Sequence, residues 1–297
     1  MEPFCPEPGI YETVPLEKYL EWDAISNSRL ALARRSMAHF NCPIDRPSSD
    51  AMRFGSLVHS GRLEPLNIPL RYVVLPDYGA AILRPDGTPY ANPKATKEYK
   101  TRVFEFQEMN AGKEIVDQDT YDRLIGLVTA VDANERAREY LNGNGKVEVS
   151  VVWDCPKTGL RCKGRLDKWN LDSARITDLK TTRDAGDFER SIARFGYYRQ
   201  GAFYTWGLTV LTGIEHEFCI VAVESEAPFG VRAAPLSAEA LKVGQVEVAE
   251  LLQTIQKCRA TDTWPGYDSP DAWDLPEWAQ PKEEPVTIKV GGQAVAV

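Results

Sequence analysis

RCKGRLDKWNLDSARITDLKTT, residues Arg161 to Thr182, decides the fold of this chain. Two runs suited to strands, Leu160 to Lys168 and Arg175 to Lys180, are separated by Asn170, Asp172 and Ser173, residues that favour turns. The stretch therefore predicts a β-hairpin. Side chains alternate across a strand, so Asp178 and Lys180 point to one face while Thr177 and Leu179 point to the other. Asp167 sits on the partner strand, where pairing brings its carboxylate beside that of Asp178. Two like charges at that range repel unless a cation or a shared proton relieves them. A divalent metal does so, and magnesium suits the set because it takes hard oxygen ligands and usually only one or two protein carboxylates. With Ile176 leading in, the second strand reads as mostly buried, a costly place for an unpaired charge.

Working outward, Val147 to Asp154 alternates as a strand and turns back through Pro156-Lys157-Thr158-Gly159, which predicts three consecutive antiparallel strands. Glu148 opens this meander, either assisting the site through water or serving as an edge-strand charge. From Asp187 to about Trp206 the spacing is helical, with Phe188, Ile192, Phe195, Ala202, Phe203 and Trp206 on an apolar stripe. A second stripe holds Arg190, Arg194, Tyr197, Gln200 and Tyr204, a mixture of cations, donors and rings suited to a DNA backbone and stacked bases. Phe218 to Val223 reads as a fourth strand, and Ser237 to Cys258 as a long helix with Leu241, Val248, Leu252 and Ile255 on one side.

Toward the N-terminus, Ser26 and Ser28 are N-cap candidates for a helix through Met37 that must end before Pro43. The helix Ala51 to Leu63 carries Gly55 and His59 on one face, four residues apart. Gly55 would allow a neighbouring element close, leaving His59 directed into whatever lies beside it. Residues 66–117, with Lys94, Lys97, Lys100 and Arg102, show no sustained period and read as a flexible charged loop, the alternative being a basic cluster that contacts DNA. Gln118 to Leu141 reads as a core helix or a helix pair, stopped by Asn142-Gly143-Asn144-Gly145. The expected organisation is an irregular lead-in over 1–24, one domain over 25–267 with its metal-site core at about 146–224, and a tail over 268–297.

With 43% hydrophobic residues over 297, the chain can bury one large core, and a single elaborated α/β domain is the expectation. A net charge of -8 argues against a uniformly basic surface, so any contact with nucleic acid must be confined to a local groove or channel. No apolar run approaches the roughly 20 residues of a membrane span and no signal peptide is read at the N-terminus, which points to the cytoplasm. Six cysteines without a C-x-x-C pair read as reduced thiols.

Several short motifs, in order, resemble the PD-(D/E)XK nuclease superfamily and, within it, the exonuclease VIII (RecE-like) family of phage recombination exonucleases. They are I-S-N-S-R-L at Ile25, G-S-L-V-H-S-G-R-L-E-P at Gly55, E-x-S-x-x-W at Glu148, R-L-D ending on Asp167, D-L-K-T-T from Asp178, Y-Y-R-Q-G-A-F-Y from Tyr197 and W-P-G-Y from Trp264. The Pro of the superfamily's name is Leu166 here, a position that supplies no ligand. The resemblance implies a PD-(D/E)XK restriction-endonuclease-like core with an N-terminal helical elaboration. It implies His59 as a metal ligand with Asp167, Asp178 and the backbone carbonyl of Leu179, and Lys180 as the residue that orients water or stabilises the transition state. By the same resemblance Gln200 joins Asp167, Asp178 and Lys180 as catalytic, with Tyr197 beside it, while the helix's second stripe makes Arg190, Arg194, Tyr197 and Tyr204 the expected DNA contacts.

The resemblance implies a Mg2+-dependent 5′-to-3′ exodeoxyribonuclease, with Mn2+ as a possible substitute, that acts on linear double-stranded DNA. It would leave 3′ overhangs for a RecT-like single-strand annealing partner and assemble as a homo-oligomeric ring. Iron–sulfur relatives need three closely spaced late cysteines, which are missing, so no cluster is expected. The rivals are a RecB-like or CRISPR-adaptation-type nuclease on single strands and a non-catalytic DNA-binding assembly protein. A pure binder has no reason to gather mutually repelling carboxylates near phosphate.

Overall fold

The hairpin is the middle of a six-stranded mixed sheet. A computed structural model describes residues 4–42, 49–269, 272–276, 279, 287–290 and 293–296, so most of the expected tail over 268–297 lies outside the described residues. The meander is β4 (Gly145–Asp154), β5 (Arg161–Asn170) and β6 (Arg175–Thr182), and β7 (Glu217–Glu224) lies parallel to β6. Two edge strands that the sequence did not reveal, β1 (Gly9–Tyr11) and β8 (Val231–Pro235), complete the order β1-β4-β5-β6-β7-β8. A parallel pair needs a crossover, and it is made by α9 (Phe188–Phe195) and α10 (Tyr197–Thr212).

Alternation along the central strands divides the core into two layers. Ile176, Phe218, Ile220 and Ala222 face α2 (Asn27–Arg35), α10 and α11 (Ala238–Thr261), packing with Leu30, Phe203 and Leu252. Leu179, Cys219, Val221 and Val223 face α4 (Asp50–Leu63), α7 (Gln118–Ala133) and α8 (Glu135–Leu141), packing with Leu57, Leu124 and Leu127. Burial of both faces explains why β7 lacks polar alternation. The helix starts follow their caps: Ser26, Ser49, Asp117, Asn134 and Ser237 each accept a backbone N–H two or three residues inside the helix they open.

Four local expectations are corrected. The lead-in is not irregular: β1 pairs with β4, and a short helix, α1 (Leu16–Glu21), is anchored by the buried Lys163 ammonium, which donates to the carbonyls of Tyr19, Leu20 and Trp22. The helix after Ser26 is two, because Ser36 caps a second one, α3 (Met37–Asn41). Residues 66–117 include α5 (Ile68–Arg71), α6 (Lys97–Met109, capped by Thr96) and a parallel pair of short strands, β2 (Tyr72–Val74) and β3 (Glu114–Val116). α6 buries no residue, which is why no apolar period marks it. The helix from Asp187 breaks at Gly196, whose φ of +70° ends α9 in the left-handed conformation before α10 begins.

Candidate metal centre

The centre forms where β5 and β6 part. Their ladder has three pairs and stops at Lys168↔Thr177, so the next residues, Asp167 and Asp178, face each other across the open end of the fork. Asp167 Oδ2 accepts the Leu179 N–H at 2.8 Å, replacing the strand bond lost there. On its other side Asp167 stands opposite Glu148, in a β4–β5 register that is paired at Val147↔Lys168 and Val149↔Leu166 but not between them. The gap has a local cause: Glu148 sits at φ +52°, a left-handed conformation that costs a side-chain-bearing residue about 1–2 kcal/mol. Strain of this kind persists where surrounding contacts over-determine it. Here Arg165 Nε donates to Glu148 Oε2 at 2.7 Å, and Arg165 Nη1 donates to the Val14 carbonyl and to Ser150 Oγ.

α4 brings His59 in from the second layer. Its Nε2 donates to the Leu179 carbonyl at 2.9 Å, which turns Nδ1 toward Asp167 Oδ1 at 3.6 Å and Glu148 Oε1 at 3.7 Å. One atom each from His59, Glu148 and Asp167 thus lies within 4.8 Å of the others, a spacing that a single ion can bridge. Asp178, almost fully buried, belongs to the other half of the fork. Gln200 Nε2 donates to its Oδ1 at 2.8 Å; Oδ2 lies 2.6 Å from Lys180 Nζ and accepts no well-angled hydrogen bond. The Lys180 ammonium is 5.1 Å from the Tyr197 ring centre, on the α10 side.

The charges are strongly coupled. Burial opposes charge on His59, but Asp167 and Glu148 outweigh it and raise the imidazolium pKa to about 9. Burial, with Asp178 and Glu148 adding to it, pushes Asp167 up to about 7 against the pull of His59 and Lys180. Burial also works against Glu148, yet His59 and Arg165 hold its pKa below the usual carboxylate value. Lys180 pays a burial cost that Asp178 and Asp167 exceed, so its pKa is raised and the side chain is an ammonium.

A divalent cation fits these residues. An imidazole nitrogen and two carboxylate oxygens converge, a donor set for a divalent cation, and Asp178, with its Oδ2 paired to the Lys180 ammonium, lies at the same fork. The arrangement departs from the expected set in two ways. Glu148 stands among the converging groups, while Asp178 is turned to Lys180 and Gln200. The Leu179 carbonyl is engaged by His59 itself, orienting the ring as the outer partners of metal-binding histidines do.

The expected DNA contacts divide. Tyr204 is 8% exposed, packed on Gly164 and against Phe203 and Phe218 in the first core layer, so it cannot stack on a base. The break at Gly196 resets the helical phase, which turns Tyr204 inward and leaves Phe195, expected in the core, 54% exposed. Arg190 is exposed and paired with Asp187. Arg194 and Tyr197 line a groove beside the fork. Arg165 was missed, although its position two before Asp167 places it on the same strand face, a signal available to alternation. The buried Arg199, tied to Glu247 and Asn27, joins α10 to α11 and α2 and takes no part in the centre.

A family model described as "PDDEXK-like domain of unknown function (DUF3799)" matches residues 30–272. Among solved structures, one described as a "Putative exonuclease" from Eubacterium rectale is similar over 93% of this chain and 97% of its own, with a TM-score of 0.53 and 15% identity, a likeness of fold. A structure described as SSO0001 covers 53% of this chain and 69% of its own, with a TM-score of 0.27 and 14% identity. No curated protein matches the sequence.

Proposed function

From the premise that this chain belongs to the family of PDDEXK-like domains (DUF3799), we propose that it is a divalent-metal-dependent nuclease acting on DNA. The observation that carries the reading is the convergence of His59 Nδ1, Glu148 Oε1 and Asp167 Oδ1 beside the Lys180 ammonium. The ordered motifs from Ile25 to Tyr267 that resemble RecE-like exonucleases support the finer reading: a Mg2+-dependent 5′-to-3′ exodeoxyribonuclease on linear duplex DNA, leaving 3′ overhangs for a single-strand annealing partner.

His59, Glu148 and Asp167 would hold a divalent cation, which would supply Lewis-acid polarisation of the scissile phosphate. Lys180 remains protonated, so its part is that of a fixed cation and donor, stabilising the negative charge of the transition state or orienting the attacking water. It is not a general base while Asp178 lies 2.6 Å away. Asp178 holds the ammonium in place, and Gln200 holds Asp178. Arg165 fixes Glu148 in its left-handed backbone, and the Leu179 carbonyl sets the plane of His59.

The test is digestion of linear duplex DNA labelled at its 5′ or 3′ ends, with Mg2+, with EDTA, and with Asp178→Ala and Lys180→Ala. Wild type with metal should release label from 5′ ends first, both variants should lose activity by about 100-fold or more, and closed-circular DNA should survive. Binding without hydrolysis under Mg2+ and Mn2+ alike would replace the nuclease reading with that of an assembly protein.

A further inference from the structure

Beyond Lys180, the last residues of β6 open into a groove of about 780 Å³ between α4, α9 and the start of α10. Its walls mix the arginines Arg123, Arg183 and Arg194 with the carboxylates of Asp50, Asp184 and Asp187. Arg183 and Arg194 both reach it, and neither forms an ion pair among the described residues. Phe54, Phe195 and Tyr197 present rings to it; Phe195 is half exposed, and Arg123 lies 4.4 Å over the Phe54 ring. The carboxylates on its rim are already engaged, Asp50 by Arg53, Asp187 by Arg190, and Asp184 by the backbone N–H groups of Gly186 and Asp187.

Gly55 lies on α4 between the groove and the centre. Ala51, Gly55 and His59 lie on one face of α4 at successive turns; Ala51 lines the groove and His59 belongs to the carboxylate cluster. Packing does not demand glycine at the middle position. A Cβ there would meet only Thr181 Oγ1, at 3.8 Å, an ordinary contact, so the expectation of a close neighbour is not met. A helix-interior glycine costs about 0.5–1 kcal/mol relative to alanine, and here no contact of the fold repays it. It leaves the face of α4 between Ala51 and His59 without a side chain, beside Thr181.

We infer that this groove seats a single DNA strand, its bases against Phe54, Tyr197 and Phe195 and its phosphates on Arg183 and Arg194, and that Gly55 keeps open the passage to the carboxylate cluster. Two arginines without an ion pair among the described residues, beside the exposed Phe195 ring and the half-buried Phe54 and Tyr197 rings, match a strand whose bases are unstacked, because a duplex hides its base faces. The inference rests on the nuclease reading for its direction of travel and names the form in which substrate reaches the site: one strand, already separated from its complement.

The experiment is fluorescence anisotropy of a labelled 12-nucleotide oligo-dT and of a blunt hairpin duplex, in EDTA, with wild type, Gly55→Ala, Gly55→Leu and the double variant Arg183→Ala/Arg194→Ala. Tm and Mn2+ binding are measured on each protein. Oligo-dT should bind wild type and Gly55→Ala equally. Gly55→Leu and the double variant should each lose about tenfold, and the double variant should lower the salt slope by about two. Gly55→Leu should hold its Tm and Mn2+ affinity, which separates a blocked passage from a damaged fold. Equal oligo-dT affinity in Gly55→Leu and wild type overturns the inference, as does a wild type that binds only the hairpin. Hydrolysis of duplex DNA that survives in Gly55→Leu with unchanged affinity sinks the groove and leaves the nuclease standing; groove-dependent binding without hydrolysis under any metal does the reverse.

Discussion

At the scale of single residues, the centre is a balance between protons and a cation. His59 is flanked by Asp167 and Glu148, and its folded pKa of about 9 lies above the ordinary value of about 6.5. The folded state therefore holds the proton more tightly than the unfolded chain, so this stabilisation is fully present below about pH 6.5 and is lost as pH rises through about 9. In EDTA the Tm should fall across that window, and His59→Gln should flatten the fall; a slope unchanged in the variant would place its source elsewhere. Because metal and proton compete for Nδ1, Mn2+ affinity should rise over the same window, with proton release visible as buffer-dependent heat in calorimetry. Arg165 acts one step removed. Arg165→Gln should weaken Mn2+ binding by about 10–100-fold through loss of Glu148 positioning, a readout that general destabilisation would not move selectively.

At the scale of elements, the fork between β5 and β6 and the break between α9 and α10 do the placing. Had the ladder continued past Lys168↔Thr177, the Leu179 N–H would have gone to a strand carbonyl rather than to Asp167. The break at Gly196 is equally local: φ of +70° disfavours any side chain, and a Cβ would lie 2.7 Å from the Arg199 guanidinium. Gly196→Ala should cost about 1–2 kcal/mol in urea unfolding with an unchanged m-value. It should also weaken oligo-dT binding, since α9 and the start of α10 carry Arg194, Phe195 and Tyr197. Stability equal to wild type would mean that the break is not held by glycine.

At the scale of the whole molecule, a net charge of -8 and a groove with two arginines outside any described ion pair fit the proposed reading, in which DNA is repelled generally and admitted at the groove. The ring expected from the family resemblance would use that division, with arginines inside and an acidic exterior. Light scattering should then give a mass several times that of the chain, insensitive to dilution; a monomeric mass at micromolar concentration would remove the ring from the proposal.

The sequence by itself determined the sheet's central hairpin, the facing of Asp167 and Asp178, and the shared face of Asp178 and Lys180, which period-two patterns carry directly because each residue's face follows from its neighbours along the chain. A period of 3.6 put His59 on a helix, and only the family resemblance pointed that helix at the carboxylates. Tertiary structure alone decided the rest. Glu148 joined His59 and Asp167 because one residue took a left-handed φ, which leaves no trace in hydrophobic pattern. Tyr204 went into the core because a single glycine reset the helix, and a stripe drawn through that position extrapolates a phase the backbone does not keep. The groove took its walls from α4, β6, α9 and α10, segments up to some hundred and forty residues apart, and only packing across the sheet brings such distant side chains to one cavity.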